Sequence, residues 1–227
     1  MKPRRPHRLR SLALVATAAA VLGACAKANP ASMPAGSQLL QQASQAMGQV
    51  NSAHVELSLA GYTPYISSAE ADISRDGKAQ GSVVIGGAQF PFRLLAKTFY
   101  IKPPTGGWVS SPPPYDPTQL LDPSTGLPSL LAKATDAKTL GSESVGGTNA
   151  YKVSATIPTD LISTLADLAP GQNTLPATAW IAADSSRLLK FYVAYRVMNG
   201  DSRADQDTQL TGVFSKFGET VNVTAPL

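Results

Sequence analysis

Short segments of alternating apolar and polar residues, separated by glycine turns, constrain the fold of this chain most strongly. Alternation with a period of two is typical of strands that bury one face. The turns include Asp76-Gly77, Gly86-Gly87 and Gly146-Gly147, which suit tight hairpins. The predicted strands begin at His54 and continue at 69–75, 79–86, 88–95, 97–102, 139–145, 149–157, 177–183, 187–197, 206–214 and 219–224. We therefore expect a sheet of mainly antiparallel strands.

Three helices interrupt these strands. Apolar residues recur at helical spacing after Ser37, which is a plausible N-cap, and end near Val50. A second short helix is predicted at 127–134, and a third from Thr159 or Asp160 to Pro170-Gly171. Eight prolines between 103 and 128 exclude a central strand there. Strands in series with a few inserted helices predict the α+β class.

The N-terminal residues have the pattern of an export signal. Residues 2–10 include five Lys and Arg residues and no acidic residue. They precede the apolar run from Leu12 to Leu22, which is too short to cross a bilayer comfortably. Leu22-Gly23-Ala24-Cys25 resembles a bacterial lipobox, and Cys25 is the only cysteine. We expect a signal peptide at 1–24, lipid on Cys25, a flexible tether over 25–37 and one domain over 38–227. The alternative is an ordinary signal peptide with an incidental cysteine.

The charge of the predicted mature chain excludes one class of partner. Five of the 19 Lys and Arg residues lie in the signal peptide, so 14 basic residues remain against 15 acidic ones. Nucleic-acid binding requires clustered basic charge, which this balance does not provide. No second apolar run approaches 18 residues. We therefore expect the lipid anchor alone to hold the protein on the outer face of the cell membrane.

Residues for catalysis or metal binding are scarce. His54 is the only histidine after the signal peptide, so a metal site of His and Cys cannot be assembled. The segment from Ser142 to Gly146 lacks the first glycine of a nucleophile elbow and lies between two strands. No phosphate-binding or dinucleotide-binding motif is present. The sequence predicts no catalytic residue, no metal ligand and no cofactor.

Apolar side chains alternate on two neighbouring predicted strands. Phe90, Phe92 and Leu94 share one face of the first, and Val83 and Ile85 share one face of the second. An antiparallel sheet with one apolar face needs a cover, which the helices could supply. An imperfect cover would leave an apolar pocket for an acyl chain. The alternative is a solid core, which these residues alone favour.

Several motifs together resemble those of the mycobacterial LppX/LprG/LprA/LprF lipoprotein family. Their order and spacing match across residues 38–225. They are Ser52-Ala53-His54, Tyr115-Asp116-Pro117, Leu121-Asp122-Pro123-Ser124-Thr125-Gly126-Leu127, Ala134-Thr135-Asp136-Ala137-Lys138, Pro176-Ala177-Thr178-Ala179-Trp180-Ile181 and Ser215-Lys216-Phe217-Gly218-Glu219. Two features depart from the family: Phe217 stands where tryptophan is usual, and segment 195–208 is longer and more polar.

The resemblance implies a strongly curved antiparallel half-barrel, similar to the carriers LolA and LolB, with helices over its concave face. It also implies a cavity for acyl lipids or lipoglycans, which the protein would carry toward the outer envelope. The alternative is a structural or signalling lipoprotein with a filled core. Members of the family can work beside a major-facilitator exporter, which makes such an exporter a candidate partner.

The expected cavity residues come mainly from strand alternation. Only Val83 rests on a motif match, in the Gly-x-Val stretch before the double glycine. A ligand with two or three acyl chains predicts a cavity larger than the usual drug-sized site of about 300–1,000 Å³. The expected set is Val83, Ile85, Phe90, Phe92, Leu94 and Trp180.

Overall fold

A computed structural model describes residues 33–61, 66–112, 115–159, 161–164, 168, 171–198 and 205–226. Cys25, the predicted signal peptide and most of the predicted tether lie outside these residues. The first helix, α1, spans Gly36–Gly48 and begins two residues before the predicted domain boundary. Ala35 precedes it without a capping side chain, so the prediction of a cap at Ser37 is wrong.

Within the described residues, eleven antiparallel strands form one curved, open sheet, which confirms the α+β half-barrel. The strands are β1 (Ser52–Gly61), β2 (Ile66–Ser74), β3 (Lys78–Ile85), β4 (Ala88–Leu95), β5 (Thr98–Ile101), β6 (Val109–Ser111), β7 (Thr135–Val145), β8 (Thr148–Pro158), β9 (Thr174–Ala182), β10 (Leu188–Met198) and β11 (Asp205–Ser215). Their order across the sheet is β6-β5-β4-β3-β2-β1-β11-β10-β9-β8-β7. Strands β6 and β7, which follow one another in the chain, therefore lie at opposite edges of the sheet.

The chain between β6 and β7 must cross the sheet from one edge to the other. This crossing segment (residues 115–134) contains a 3₁₀ helix at Pro117–Leu121 and helix α2 at Leu127–Lys133. Asp116 caps the 3₁₀ helix by accepting a hydrogen bond from the Thr118 backbone N–H at 2.9 Å. The cap-then-proline order of Asp116 and Pro117 thus marks the helix start.

One apolar core joins the helices to the concave face of the sheet. Leu39, Leu40, Ala43 and Met47 repeat along α1 and are all buried. In the same core lie Leu120, Leu121, Leu127 and Leu131 of the crossing segment, together with inward-facing residues of the strands. Among the described residues, no helix is long and apolar enough to cross a membrane.

Two predicted elements are wrong. Residues 219–224 form no strand, and two of their backbone carbonyls accept hydrogen bonds from side chains instead: Ser52 donates to the Glu219 carbonyl and Arg93 to the Thr224 carbonyl. The described part of the third predicted helix holds only a 3₁₀ turn at Ile162–Thr164. Leu168, which the periodicity placed on this helix, instead pairs with Val197 in an isolated antiparallel bridge.

Candidate functional site

An apolar cavity of about 230 Å³ lies between one half of the concave face and the crossing segment. Its walls come from strands β1 to β5 and from β10 and β11. Leu57, Ala69 and Val83 are direct cross-strand neighbours, so their side chains share one face. The wall residues are Leu57, Leu59, Ile66, Ala69, Val83, Ile85, Phe92, Phe99, Ile101, Tyr195 and Leu210.

The crossing segment closes this cavity from above. Tyr115, Pro117 and Leu120 line it, and the capped 3₁₀ helix fixes the position of all three. Ile66 also lines the cavity and is 41% exposed, which places the opening to solvent near the start of β2. Phe92 and Phe99 stack with ring centroids 5.4 Å apart and form an aromatic wall.

The other half of the concave face is nearly filled. The space there, between β8–β11 and helices α1 and α2, is only about 40 Å³. Phe191 lines this space and lies over Gly212, where an added Cβ would come 2.2 Å from the ring. The filled space and the cavity share Leu57, Leu120 and Leu210 as walls. The open space is therefore confined to the half of the sheet that β1–β5 build.

Five of the six expected cavity residues lie on the concave face, but only three line the cavity. Val83, Ile85 and Phe92 line it. Phe90 is the direct cross-strand neighbour of Val83 and packs against the core beside it. Leu94 is 1% exposed and packs within the core. The alternation on β3 and β4 thus predicts the correct face, although it does not distinguish cavity from core.

Trp180 lies on the opposite face of the sheet, so its assignment to the cavity is wrong. It pairs across strands with Lys152 and Lys190, whose ammonium groups lie 5.1 and 4.7 Å from the ring centroid. Its indole N–H donates to the Glu143 carboxylate. The neighbouring Ala179 points the other way and lines the filled space. Trp180 packs with Ala150, Ala182 and Leu189 on the outer face.

The size of the cavity also differs from the prediction. About 230 Å³ is below the range of about 300–1,000 Å³ for drug-sized sites, whereas the sequence led us to expect a larger space. The crossing segment is the reason: Leu120 and Leu121 descend to the sheet and are buried there. The distance between a covering segment and the sheet depends on how such side chains pack. Strand alternation carries no information about this distance.

Tyr115 is one of the cavity residues that the alternation pattern could not reveal. It lies in the proline-rich middle of the chain, which has no strand or helix period. Burial raises the pKa of its phenol, so the side chain stays neutral. Burial also raises the pKa of Tyr195. The available sequence signal for Tyr115 was the Tyr-Asp-Pro motif, in which the aspartate caps the helix that follows.

His54 lies on the outer face, away from the cavity. Its Nδ1 is 2.7 Å from the Asp72 carboxylate and its Nε2 is 3.6 Å from that of Glu56. A catalytic triad needs a hydroxyl at the second ring nitrogen, where a carboxylate stands here. Ser142 lies in β7 at the sheet edge, within the predicted hairpin. Within the described residues, no group of three or more His, Cys, Asp or Glu side chains could hold a metal ion.

We expect no hydrolytic activity that depends on His54. Ester, thioester and glycoside reporters should turn over no faster with the protein than with His54→Ala or with buffer alone. The physical reason is that both ring nitrogens face carboxylates and none faces a nucleophile. Turnover that His54→Ala abolishes would contradict this prediction.

The structure defines a class of protein: a curved half-barrel whose concave face holds an apolar cavity beneath a crossing segment. The sequence profile of the LppX_LprAFG lipoproteins matches residues 35–223, and the chain belongs to this family. The family predicted from the motifs is thereby confirmed.

Individual relatives agree with this assignment. The chain is 29% identical to the lipoarabinomannan carrier protein LprG of Mycobacterium tuberculosis, covering 99% of this chain and 98% of the relative. The crystal structure of LprF from Mycobacterium bovis has a TM-score of 0.69 at 24% identity, covering 84% of this chain and 96% of that one. The crystal structure of Mycobacterium tuberculosis LppX has a TM-score of 0.63 at 25% identity, covering 83% and 97%.

Proposed function

We propose that this protein is a membrane-anchored carrier that binds acyl lipids or lipoglycans in its concave cavity. It takes them from the inner membrane toward the outer envelope without changing them chemically. The observation that carries this proposal is the cavity of about 230 Å³, whose described lining is aliphatic and aromatic apart from two phenol hydroxyls. Such a lining favours acyl chains, because each buried methylene contributes about 0.8 kcal/mol.

The name of one relative supports the same class of ligand. LprG is called a lipoarabinomannan carrier protein, and the similarity to it extends over nearly the whole of both chains. A lipoglycan has acyl chains that a cavity can bury and a glycan that must remain in solvent. The opening near Ile66 gives the polar part of such a ligand a route out of the cavity.

The size of the cavity sets a condition on loading. A lipid with two or more acyl chains does not fit in about 230 Å³, so the space must enlarge when lipid enters. The crossing segment is the part to move, because Tyr115, Pro117 and Leu120 form the cover while the opposite wall is a hydrogen-bonded sheet. We therefore propose that loading lifts this segment from the strands beneath it.

The proposed anchor places the domain within reach of its lipid source. Ten residues separate Cys25 from the start of α1 at Gly36. A fully extended chain of this length spans at most about 35 Å. Two or more acyl chains on Cys25 would give stable attachment, whereas a single chain gives only marginal binding. A major-facilitator exporter remains the proposed partner that would deliver or receive the lipid.

We expect Cys25→Ala to abolish stable membrane attachment, since the thiol is the proposed site of acylation. Cell fractionation followed by a carbonate wash measures this directly. Wild-type protein should stay in the washed membrane pellet, and the variant should not. A variant that resists the wash as well as wild type would contradict the assignment of Cys25 as the anchor.

One observation favours a second candidate function. Half of the concave face is filled, with only about 40 Å³ left beneath α1 and α2. A structural or signalling lipoprotein would need no more space than this. The two functions differ in whether the other half of the concave face ever holds lipid.

Transfer between vesicles tests the carrier function. Donor vesicles contain a self-quenched fluorescent diacyl phospholipid, and acceptor vesicles contain none. We expect the rate of dequenching to rise in proportion to added protein, and thin-layer chromatography to recover the phospholipid intact. No acceleration would contradict carriage, and a cleaved product would contradict the absence of chemical change.

A further inference from the structure

A buried hydroxyl without a hydrogen-bond partner lies in the lining of the cavity. Tyr115 lines the cavity, and its phenol oxygen is buried and unpartnered among the described residues. Leaving a buried polar group unsatisfied is costly, so native proteins rarely do it without a reason. Tyr195 lines the same cavity, but its hydroxyl is not both buried and unpartnered, as that of Tyr115 is.

The turn that directly follows Tyr115 is constrained by local hydrogen bonds. The neighbouring Asp116 carboxylate accepts hydrogen bonds from the backbone N–H and the hydroxyl of Thr118, at 2.9 and 2.6 Å. Pro117 then begins the 3₁₀ helix with a fixed φ angle. A donor on such a constrained turn loses little conformational freedom when it binds a ligand.

We propose that the Tyr115 hydroxyl donates a hydrogen bond to the ester carbonyl oxygen of an acyl lipid held in this cavity. The inference rests on the proposed function and specifies how its ligand is recognised. The chains of such a lipid contact the apolar walls, and the ester carbonyl is the first strong acceptor beyond them. The cavity would therefore distinguish ester-linked chains from chains that lack a carbonyl.

The chemistry of the lining favours this acceptor over a charged one. The described cavity residues include no Lys, Arg or His, so a phosphate or carboxylate would find no counter-ion among them. The phenol stays neutral because burial raises its pKa, which preserves the O–H as a donor. A neutral carbonyl is the matching acceptor for a neutral donor in an apolar site.

Two protein forms and two lipids test the proposal. The delipidated full-length protein and its Tyr115→Phe variant are titrated with a diacyl ester phospholipid and with its dialkyl ether analogue. We expect wild type to prefer the ester lipid, and Tyr115→Phe to bind it about 2- to 10-fold more weakly, the effect of one hydrogen bond. Both proteins should bind the ether lipid equally.

Tyr192→Phe is the matched control, since it removes a phenol hydroxyl from the outer face of β10, away from the cavity. It should leave the ratio of ester to ether affinities as in wild type. Thermal melting of lipid-free Tyr115→Phe should be no lower than that of wild type, because the change removes an unsatisfied buried hydroxyl.

The possible failures are distinguishable. If Tyr115→Phe binds both lipids as wild type does, or weakens both equally, the proposed hydrogen bond is wrong while the carrier function stands. Equal binding of the two lipids by the wild-type protein would by itself also contradict the proposed hydrogen bond. If wild type binds neither lipid, the proposed function itself fails and this inference fails with it.

Discussion

Val83→Trp should abolish lipid binding while leaving the lipid-free fold almost as stable as wild type. Val83 is 8% exposed, lines the cavity, and pairs across strands with Ala69 on β2 and Phe90 on β4. An indole there would occupy the space that acyl chains need. In a solid core the same change would cost about 1–3 kcal/mol through overpacking. In a cavity of about 230 Å³ the ring has room, and we expect the ligand to be displaced instead.

The measurements are the amount of acyl lipid bound per protein and the melting temperature after delipidation. Val84→Trp is the matched control, because Val84 follows on the same strand and lies in a groove of the outer face. It should retain lipid at the wild-type level. If Val83→Trp melts much earlier and still carries lipid, Val83 belongs to a packed core and the cavity assignment is wrong at that position.

Leu121→Ala should destabilise the protein by about 2–5 kcal/mol, the usual cost of truncating a fully buried leucine. Leu121 is 0% exposed, at the end of the 3₁₀ helix in the crossing segment. Its side chain belongs to the same core as the strands of the concave face. The loss should lower the melting temperature by roughly 4–20 °C for a domain of this size.

Chemical denaturation measures this free energy of unfolding directly. Leu140→Ala makes the same chemical change on β7, where the side chain is 55% exposed, and should alter stability by less than about 0.5 kcal/mol. Equal effects from the two variants would show that the crossing segment is not packed on the sheet. The cover of the cavity would then be a loose loop rather than part of the core.

The strands were largely predictable because most of them bury only one face. Alternation and glycine turns gave β2, β3, β4 and β5 to within a few residues, with turns at Gly77 and at Gly86-Gly87. The same reasoning failed for residues 219–224, which alternate in sequence but form no strand. Their carbonyls bond to Ser52 and Arg93 instead. Alternation shows that a segment is compatible with a strand, while pairing requires a partner edge.

The cavity was less predictable, for two physical reasons. β9 is buried on both faces near its end, so the sequence around Trp180 gives no signal for which face is concave. Its cross-strand neighbours Lys152 and Lys190 show which face Trp180 occupies, because they place the indole beneath two cations on the outer face. Such pairing depends on strand order, which local sequence does not contain.

The cover of the cavity depends on long-range order in the same way. Strand order places β6 and β7 at opposite edges, so the chain between them must cross the sheet, and the buried leucines of residues 115–134 place that crossing on the concave face. The prolines showed that this region is no central strand. They could not show that Tyr115 and Leu120 would form the cover of a cavity.

The lipid content of the protein as isolated tests the central claim most directly. Full-length protein is purified without a delipidation step, and its mass is measured under native and then denaturing conditions. The account predicts a non-covalent ligand that is released on denaturation and that extraction identifies as an acyl lipid or lipoglycan. It also predicts that Val83→Trp, purified in the same way, lacks this ligand. Wild-type protein that shows the same mass under both conditions, with nothing to extract, would contradict the carrier function and favour a filled structural lipoprotein.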